Sequence, residues 1–120
     1  MDLKTVAQTK IVRDIIISRS RMSEAHIRGL GIKSKWCLMG ILVAKREFYM
    51  TWRQAGACFG VRPQTAASSA LRYEAEVFDS PRLFEIFTDL GCLAQECWGQ
   101  ISQSLPAQSA NVAARPDRQG

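Results

Sequence analysis

The sequence predicts an all-α domain, a bundle of about six helices that contains a helix-turn-helix. Three observations support this fold class. Apolar residues recur at intervals of three and four over most of the chain between residues 5 and 101, as they do on one face of a helix. Helix start signals stand between these stretches, at Ser34, Thr51 and Ser80-Pro81. The one run typical of a strand, Ile15–Ile17, has no partner strand elsewhere in the sequence.

Two helices and a loop are expected before residue 36. A helix from Thr5 to about Ser20 carries its apolar residues at Val6, Ile11, Val12, Ile15 and Ile16. A short helix, Ser23–Arg28, should follow and be closed by glycines 29 and 31. The segment Arg28–Lys35 is rich in glycine and basic residues and is therefore predicted to be a loop.

The next helix is predicted over Lys35–Phe48, with Ser34 as its N-cap. Its apolar stripe consists of Trp36, Leu38, Met39, Leu42 and Val43. We expect Trp36 to lie in the core, Trp52 to be half-exposed, and Trp98 to pack the last helix or mark a partner surface.

A third stretch has the pattern of a capped short helix. Thr51 and Gln54 form the Thr-x-x-Gln pattern of a capping box, in which each side chain satisfies a backbone amide at the helix start. The helix should run over Trp52–Cys58 and stop at Phe59-Gly60, because glycine tolerates the left-handed conformation that ends helices.

A second helix then restarts at Arg62-Pro63, since proline is tolerated in a first helical turn. It should extend from Gln64 to about Glu76 and begin with short polar side chains, at Gln64, Thr65, Ser68 and Ser69. Two short helices joined by a glycine-containing turn are typical of the helix-turn-helix, whose second helix enters the major groove of DNA.

The last helix is predicted from Pro81 to about Ile101, after the break at Asp79-Ser80. Its buried face is expected to comprise Leu83, Phe84, Ile86, Phe87, Leu90, Leu93 and Ala94. Gly91 is a weak point inside it. With 120 residues the chain corresponds to one domain, which we place at 1–101. Residues 102–120 are polar and without periodicity, and we expect a disordered tail.

The charge is distributed unevenly along the chain. Residues 1–72 contain 13 Lys and Arg against 4 Asp and Glu, whereas residues 73–120 contain 3 against 7. This asymmetry favours a polyanion-binding face in the first part with an acidic helix behind it. A solvated surface that is merely basic is the alternative, since charge carries no information on specificity.

Catalysis and metal binding are not expected. The single histidine, His26, has no adjacent Ser/Asp or Cys/His arrangement in the sequence, and the four cysteines form no C-x-x-C pair, so no enzyme, cofactor or zinc site is predicted. Cys37 and Cys58 fall on apolar faces and should behave as small buried hydrophobic residues. With no signal peptide and no apolar run long enough to span a membrane, a cytoplasmic protein is expected.

The segment Phe59–Ala70, FGVRPQTAASSA, resembles the signature FGGRDHTTVLHA of the C-terminal DNA-binding domain of bacterial DnaA replication initiators. The residues that match without a gap are Phe59, Gly60, Arg62, Thr65 and Ala70. The helix with Met39, Ala44 and Lys45 is similar to the family's RQxAMYLAKE helix, and Glu74–Ala94 is similar to the closing helices of stand-alone DnaA-like proteins. The resemblance covers about residues 10–97 and implies a Trp-repressor/DnaA-C-terminal-like fold with double-stranded DNA as partner.

Three departures from the family affect the part that reads bases. Pro63-Gln64 replaces Asp-His, Ala66 replaces the second threonine, and Ser69 replaces the second histidine. A glutamine can bind adenine through two hydrogen bonds, so Gln64 is able to take over from histidine. We therefore expect either a target site different from the family's or a domain that has lost base recognition.

The chain has no G-x-x-x-x-G-K-[ST] loop, the phosphate-binding element that an initiator ATPase needs. Gly29 and Gly31 are followed by Ile-Lys-Ser, but no strand precedes them. The expected protein is a DNA reader without the ATPase module.

The candidate DNA-binding residues are Arg28, Lys33, Lys35, Thr51, Arg53, Arg62, Gln64, Thr65, Ser68 and Ser69. Residues 64–69 are expected in the major groove. The resemblance implies that the segment 28–35 reaches the adjacent minor groove or backbone. Arg62, Arg53 and Thr51 should fix the register on phosphates. Two alternatives remain open, an ion pair of Arg62 with Glu74 or Glu76 and a purely capping role for Thr51.

Sequence-selective binding of duplex DNA, as a bacterial, nucleoid-associated regulator of transcription, is the function these features favour. A second hypothesis is a protein-interaction module or anti-activator that has lost base recognition and binds a partner protein through Pro81–Ile101. A third is a structural protein that binds DNA without sequence preference.

Overall fold

The described part of this computed structural model, residues 2–104, is all-α with six α-helices, which confirms the all-α class and the number of helices that the sequence predicts. It consists of α1 (Leu3–Ser20), α2 (Glu24–Leu30), a 3-10 helix (Gly31–Lys33), α3 (Lys35–Phe48), α4 (Trp52–Ala57), α5 (Pro63–Asp79) and α6 (Pro81–Ser102). The run Ile15–Ile17 is helical, as predicted. Of the tail, Ser102 belongs to α6 and residues 103–104 form a turn, while the prediction of disorder concerns mainly residues outside the described range.

Short polar side chains set most of the helix starts. The N-cap side chains that accept a hydrogen bond from the amide three residues on are Asp2, Ser23, Ser34, Thr51 and Ser80. The caps at Ser34 and Ser80 were predicted, and the capping box of Thr51 and Gln54 is complete. Such a cap typically contributes about 1 kcal/mol, because it satisfies an amide that has no partner inside the helix.

The helix α3 is the centre of the bundle. Every residue of Cys37–Ala44 is buried, and α3 packs against α1, α4, α5 and α6. The stripe predicted for this helix is therefore too narrow, and the placement of Trp36 in the core is wrong, because this side chain is only half-buried against it. The run LMGILVA carries no polar residue, and this lack is the signal of a helix that is covered on all sides.

The loop predicted over Arg28–Lys35 is wrong. Residues 28–30 continue α2, the 3-10 helix follows, and Lys35 is already the first residue of α3. Gly29 stands inside α2, where a glycine costs about 1 kcal/mol relative to alanine, and the fully buried Ile27 holds the helix in place. Gly31 is the residue that ends α2, with a φ of 56°.

Two smaller corrections concern the last two helices. The helix α5 extends to Asp79, beyond the predicted end at Glu76. On α6, Phe84 and Leu93 are 43 % and 42 % exposed although both were assigned to the buried face, and Leu83 and Ile86 are only half-buried. The seven predicted positions span a wider arc of the helix than the neighbouring helices cover.

Gly40, in the middle of α3, marks the closest approach within the core. A methyl group on this residue would lie 2.5 Å from Phe59 Cε2 and 3.0 Å from Ile16 Cγ1. Both neighbours are almost completely buried, so a shift of either side chain would disturb the surrounding core. Gly99, on α6, has no atom within 4 Å of the same position and provides a matched control.

The substitution Gly40→Ala should therefore destabilise the protein, since overpacking a core costs about 1–3 kcal/mol and outweighs the gain of up to about 1 kcal/mol from the helical preference of alanine. Gly99→Ala should stabilise it by up to about 1 kcal/mol. Urea unfolding of the two variants measures the difference. Equal free energies of unfolding would show that the core around Gly40 is looser than described.

Candidate nucleic-acid interface

A tight turn connects α4 to α5. Gly60 has a φ of 73°, in the left-handed region. Its amide donates to the Ala57 carbonyl (3.4 Å), and the Val61 amide donates to the Gly56 carbonyl (2.9 Å), which is the Schellman pattern. Phe59, within the turn, is 1 % exposed and anchors it in the core. The direction in which α5 leaves α4 is thus fixed by backbone hydrogen bonds and by one buried ring.

The helix α5 has one buried face and one outward face. Its buried residues recur at intervals of three and four: Ala66, Ala70, Tyr73 and Val77. The exposed residues on the opposite side are Gln64, Ser68, Leu71, Arg72 and Ala75. Thr65 and Ser69 are half-buried. Of the four polar residues predicted at the start of this helix, two are therefore exposed and two lie at the border between its buried and exposed faces.

The start of α5 differs from that of the other α-helices in the described range. Its N-cap is Arg62, whose side chain makes no capping hydrogen bond, and its first residue is Pro63. The amides of Gln64 and Thr65 therefore lack a side-chain acceptor. Uncapped amides and the positive end of the helix dipole together favour an anion at this position.

Three predicted cations are exposed and have no ion-pair partner among residues 2–104. They are Lys33 in the 3-10 helix, Arg53 in α4 and Arg62. The alternative that pairs Arg62 with Glu74 or Glu76 is not observed, because the salt bridge of Glu76 is with Lys35. These cations keep their side chains available for phosphates.

Arg28 and Lys35 are already engaged. The Nε of Arg28 lies 2.8 Å from Glu24 Oε2, and its Nη2 donates to the Cys58 carbonyl at 3.5 Å, so the side chain connects α2 to the turn before α5. The Nζ of Lys35 lies 3.4 Å from Glu76 Oε2. Both side chains are partly exposed and keep further N–H donors, so these contacts orient them without excluding a phosphate.

The hydroxyls of Thr51 and Ser68 also have partners within the chain. Thr51 Oγ1 accepts from the Gln54 amide (3.1 Å), and the Thr51 amide donates to Gln54 Oε1 (2.9 Å). The Ser68 hydroxyl donates to the Gln64 carbonyl (3.1 Å). Both residues remain exposed, so a cap at Thr51 and a phosphate contact by Thr51 are compatible.

The segment 28–35 and α5 lie side by side. A surface pocket between them is lined by Ile32 and Lys35 on one side and by Ser69, Arg72 and Glu76 on the other. Arg72 is absent from the predicted set, although it follows Gln64 by eight residues and Ser68 by four and therefore shares their face. Helical spacing alone could have found it.

A second residue missing from the predicted set is Lys45. Its Nζ lies 4.5 Å from the centre of the Trp52 ring at the start of α4. Trp52 is half-buried, as expected. This cation–π contact joins α3 to α4, and no sequence spacing indicates it.

The two cysteines near the turn are buried, as predicted. Cys37 and Cys58 are both fully inaccessible, and burial raises the pKa of each thiol from 9.0 to about 11. A thiol with this pKa is protonated at neutral pH and reacts slowly. Cys92, on α6, is exposed.

No family model, curated protein or solved structure matches this chain. Among residues 2–104, no group of three or more His, Cys, Asp or Glu side chains could hold a metal ion. None of the described helices has both the length and the apolar character required to span a membrane.

The raised thiol pKa values predict a pH dependence of stability. A folded-state pKa above the unfolded-state value stabilises the fold fully below pH 9, and this contribution is lost as the pH rises from about 9 to 11. The free energy of unfolding should fall over this range by more in the parent chain than in Cys37→Ala/Cys58→Ala. Cys92→Ser is the control and should follow the parent.

Proposed function

We propose that this chain binds duplex DNA sequence-selectively through α4 and α5, as a DnaA-like helix-turn-helix, and that it regulates transcription on the bacterial nucleoid. One observation carries the proposal: α5 begins without a side-chain cap and turns Gln64 and Ser68 to solvent, with Arg62 directly before them. An uncapped helix start with outward polar side chains and an available arginine has the chemistry that phosphates and base edges require.

The docking follows from the outward face of α5. With its N-terminus in the major groove, Gln64 faces base edges and Arg62 and Arg53 face phosphates. The 3-10 helix with Lys33 then lies beside the same duplex, because it flanks the middle of α5. Arg72, two turns from Gln64 on the outward face, adds a cation along the groove. Phosphate contacts set the register, whereas Gln64 supplies selectivity.

Selection of bound duplexes from a random pool at about 150 mM salt tests the proposal directly, since nonspecific binding weakens steeply with salt. An enriched motif is the expected result. Binding without enrichment that vanishes as the salt concentration rises would contradict selective recognition and would leave a nonselective DNA binder or a protein-interaction module.

Variants at the interface should separate selectivity from affinity. Gln64→Ala should reduce the preference for the selected sequence by about 1–3 kcal/mol. Lys33→Ala should weaken binding to all sequences alike and make the slope of log affinity against log salt shallower by about 0.9. Fluorescence anisotropy with selected and scrambled duplexes measures both quantities.

The matched control removes a positive charge elsewhere. Arg82 stands at the start of α6, beyond the far end of α5, which is about 25 Å long. Arg82→Ala should leave both selectivity and salt slope close to those of the parent. An unchanged preference in Gln64→Ala would show that the docking is wrong.

An exposed aromatic patch favours a protein-interaction module as the second candidate. Phe78 and Phe84 are 48 % and 43 % exposed, with ring centres 5.6 Å apart. Beside them lies a groove of about 520 Å³, lined by residues of α3 and α6 that include Glu47, Phe87 and Cys92. The exposed acidic residues of α6 are Glu85, Asp89 and Glu96. One cation, Arg46, also lines the groove and lies 5.9 Å from the Phe78 ring centre, so the acidic side is the one formed by α6. The apolar floor and this acidic side fit a partner segment that has apolar anchors and basic residues along one flank.

A fluorescent label on Cys92 tests this candidate, in a Cys97→Ser background so that one reactive thiol remains. A 14-residue amphipathic Leu/Lys helix should change the label's emission, whereas a Leu/Glu helix of the same pattern should not. Phe84→Ser removes the apolar anchor without altering charge and should weaken the response at least about fivefold. An equal response in Phe84→Ser would show that the Leu/Lys helix binds by charge attraction alone and not through the aromatic patch.

A further inference from the structure

A small apolar cavity lies where α3, α5 and α6 meet. Its volume is about 170 Å³, and its lining residues are Lys35, Trp36, Met39, Tyr73, Leu83 and Ile86. An engineered protein cavity of about 150 Å³ with apolar walls is large enough to bind benzene. This cavity therefore has room for one six-membered ring or a branched aliphatic group of the same size.

The cavity contains one charged side chain, and that side chain is a cation. Lys35 Nζ lies 3.4 Å from Glu76 Oε2 and 5.1 Å from the centre of the Tyr73 ring. The side chains of Lys35 and Glu76 are 62 % and 54 % exposed, so their ion pair contributes little to stability. A carboxylate supplied by a ligand can replace that of Glu76 at small cost.

Tyr73 adds a second polar group to the cavity wall. It is 4 % exposed, and its hydroxyl has no hydrogen-bond partner among residues 2–104. Burial and the Glu76 carboxylate raise the pKa of this phenol, which therefore stays protonated at neutral pH and keeps a proton to donate. The Tyr73 oxygen is not among the buried polar atoms that lack a partner, so it reaches solvent and can donate to an anionic ligand without losing a hydrogen bond inside the chain.

We propose that this cavity is a binding site for small organic carboxylates with a single ring or a branched apolar group. The apolar part fills the space between Met39, Leu83 and Ile86, and the carboxylate binds Lys35 in place of Glu76. This proposal does not rest on the DNA-binding proposal, although Lys35 belongs both to the cavity lining and to the candidate DNA-binding residues.

Phenylacetate, phenylacetamide and phenethylamine test the proposal, since they share a ring and differ in charge. Each is titrated into the full chain without DNA, and chemical shifts are followed by NMR at the methyl groups of Met39, Leu83 and Ile86. Phenylacetate should bind with a dissociation constant on the order of 1 mM or lower. Phenylacetamide should bind at least about fivefold more weakly, and phenethylamine more weakly still.

Two variants assign the interaction to its residues. Lys35→Gln should weaken phenylacetate binding about tenfold and leave phenylacetamide within a factor of about two. Lys33→Gln removes the same charge two residues away, outside the cavity lining, and should change neither affinity. Leu83→Phe fills the cavity and should abolish binding of all three probes, and Ile86→Phe serves in its place if the first variant fails to fold.

The possible outcomes test the contribution of the ring and that of the carboxylate charge separately. Equal affinity for phenylacetate and phenylacetamide would overturn the carboxylate part of the proposal. A lack of shifts at Met39, Leu83 and Ile86 at 10 mM probe, or unchanged binding in a folded cavity-filling variant, would overturn the site itself. Since no DNA is present, none of these results depends on the DNA-binding proposal.

Discussion

The fold is organised around one stretch of helix that is buried on all sides. Residues Cys37–Ala44 of α3 are all buried, and a single neighbouring helix can cover only one side of another. Four helices pack around α3 for that reason: α1, α4, α5 and α6. The orientation of α5, on which both proposals depend, is thus a consequence of covering α3 as much as of the turn that precedes α5.

The packing of α5 also explains how its two faces differ in chemistry. Alanines 66 and 70 on the inner face bring its first turns close to the rest of the bundle, and the fully buried alanine 55 of α4 does the same from the other side. The larger inner residues, Tyr73 and Val77, come only later in the helix, so its first turns expose Gln64 and Ser68 and bury only alanines. The available cations of this region, Arg53, Arg62 and Arg72, are exposed as well. The first turns of the helix thereby combine a tight interior with a polar exterior, whereas its last turn exposes Glu76 and Asp79.

Local signals made much of this fold predictable. The bounds of α3 and the caps at Ser34, Thr51 and Ser80 depend on residues within one turn of each other, and these matched the structure. The prediction for the segment 28–35 is wrong because its glycines indicate only a flexible backbone. The segment is helical because the buried Ile27 anchors α2, and that burial is not visible in the local sequence. Contacts between distant residues were not predictable. Arg28 and Cys58 are 30 positions apart and Lys35 and Glu76 are 41 apart, so no spacing rule connects them.

The small amount of buried surface in α2 has a consequence for motion. This helix has seven residues, and Ile27 is the only one of them that is buried; the 3-10 helix after it has none. Segments with so few buried contacts open at a lower free-energy cost than the rest of a domain. The amides of residues 24–33 should consequently exchange their hydrogens with solvent long before those of α3. The segment 24–33, which carries Lys33, can therefore shift relative to the other helices while the core around α3 stays folded.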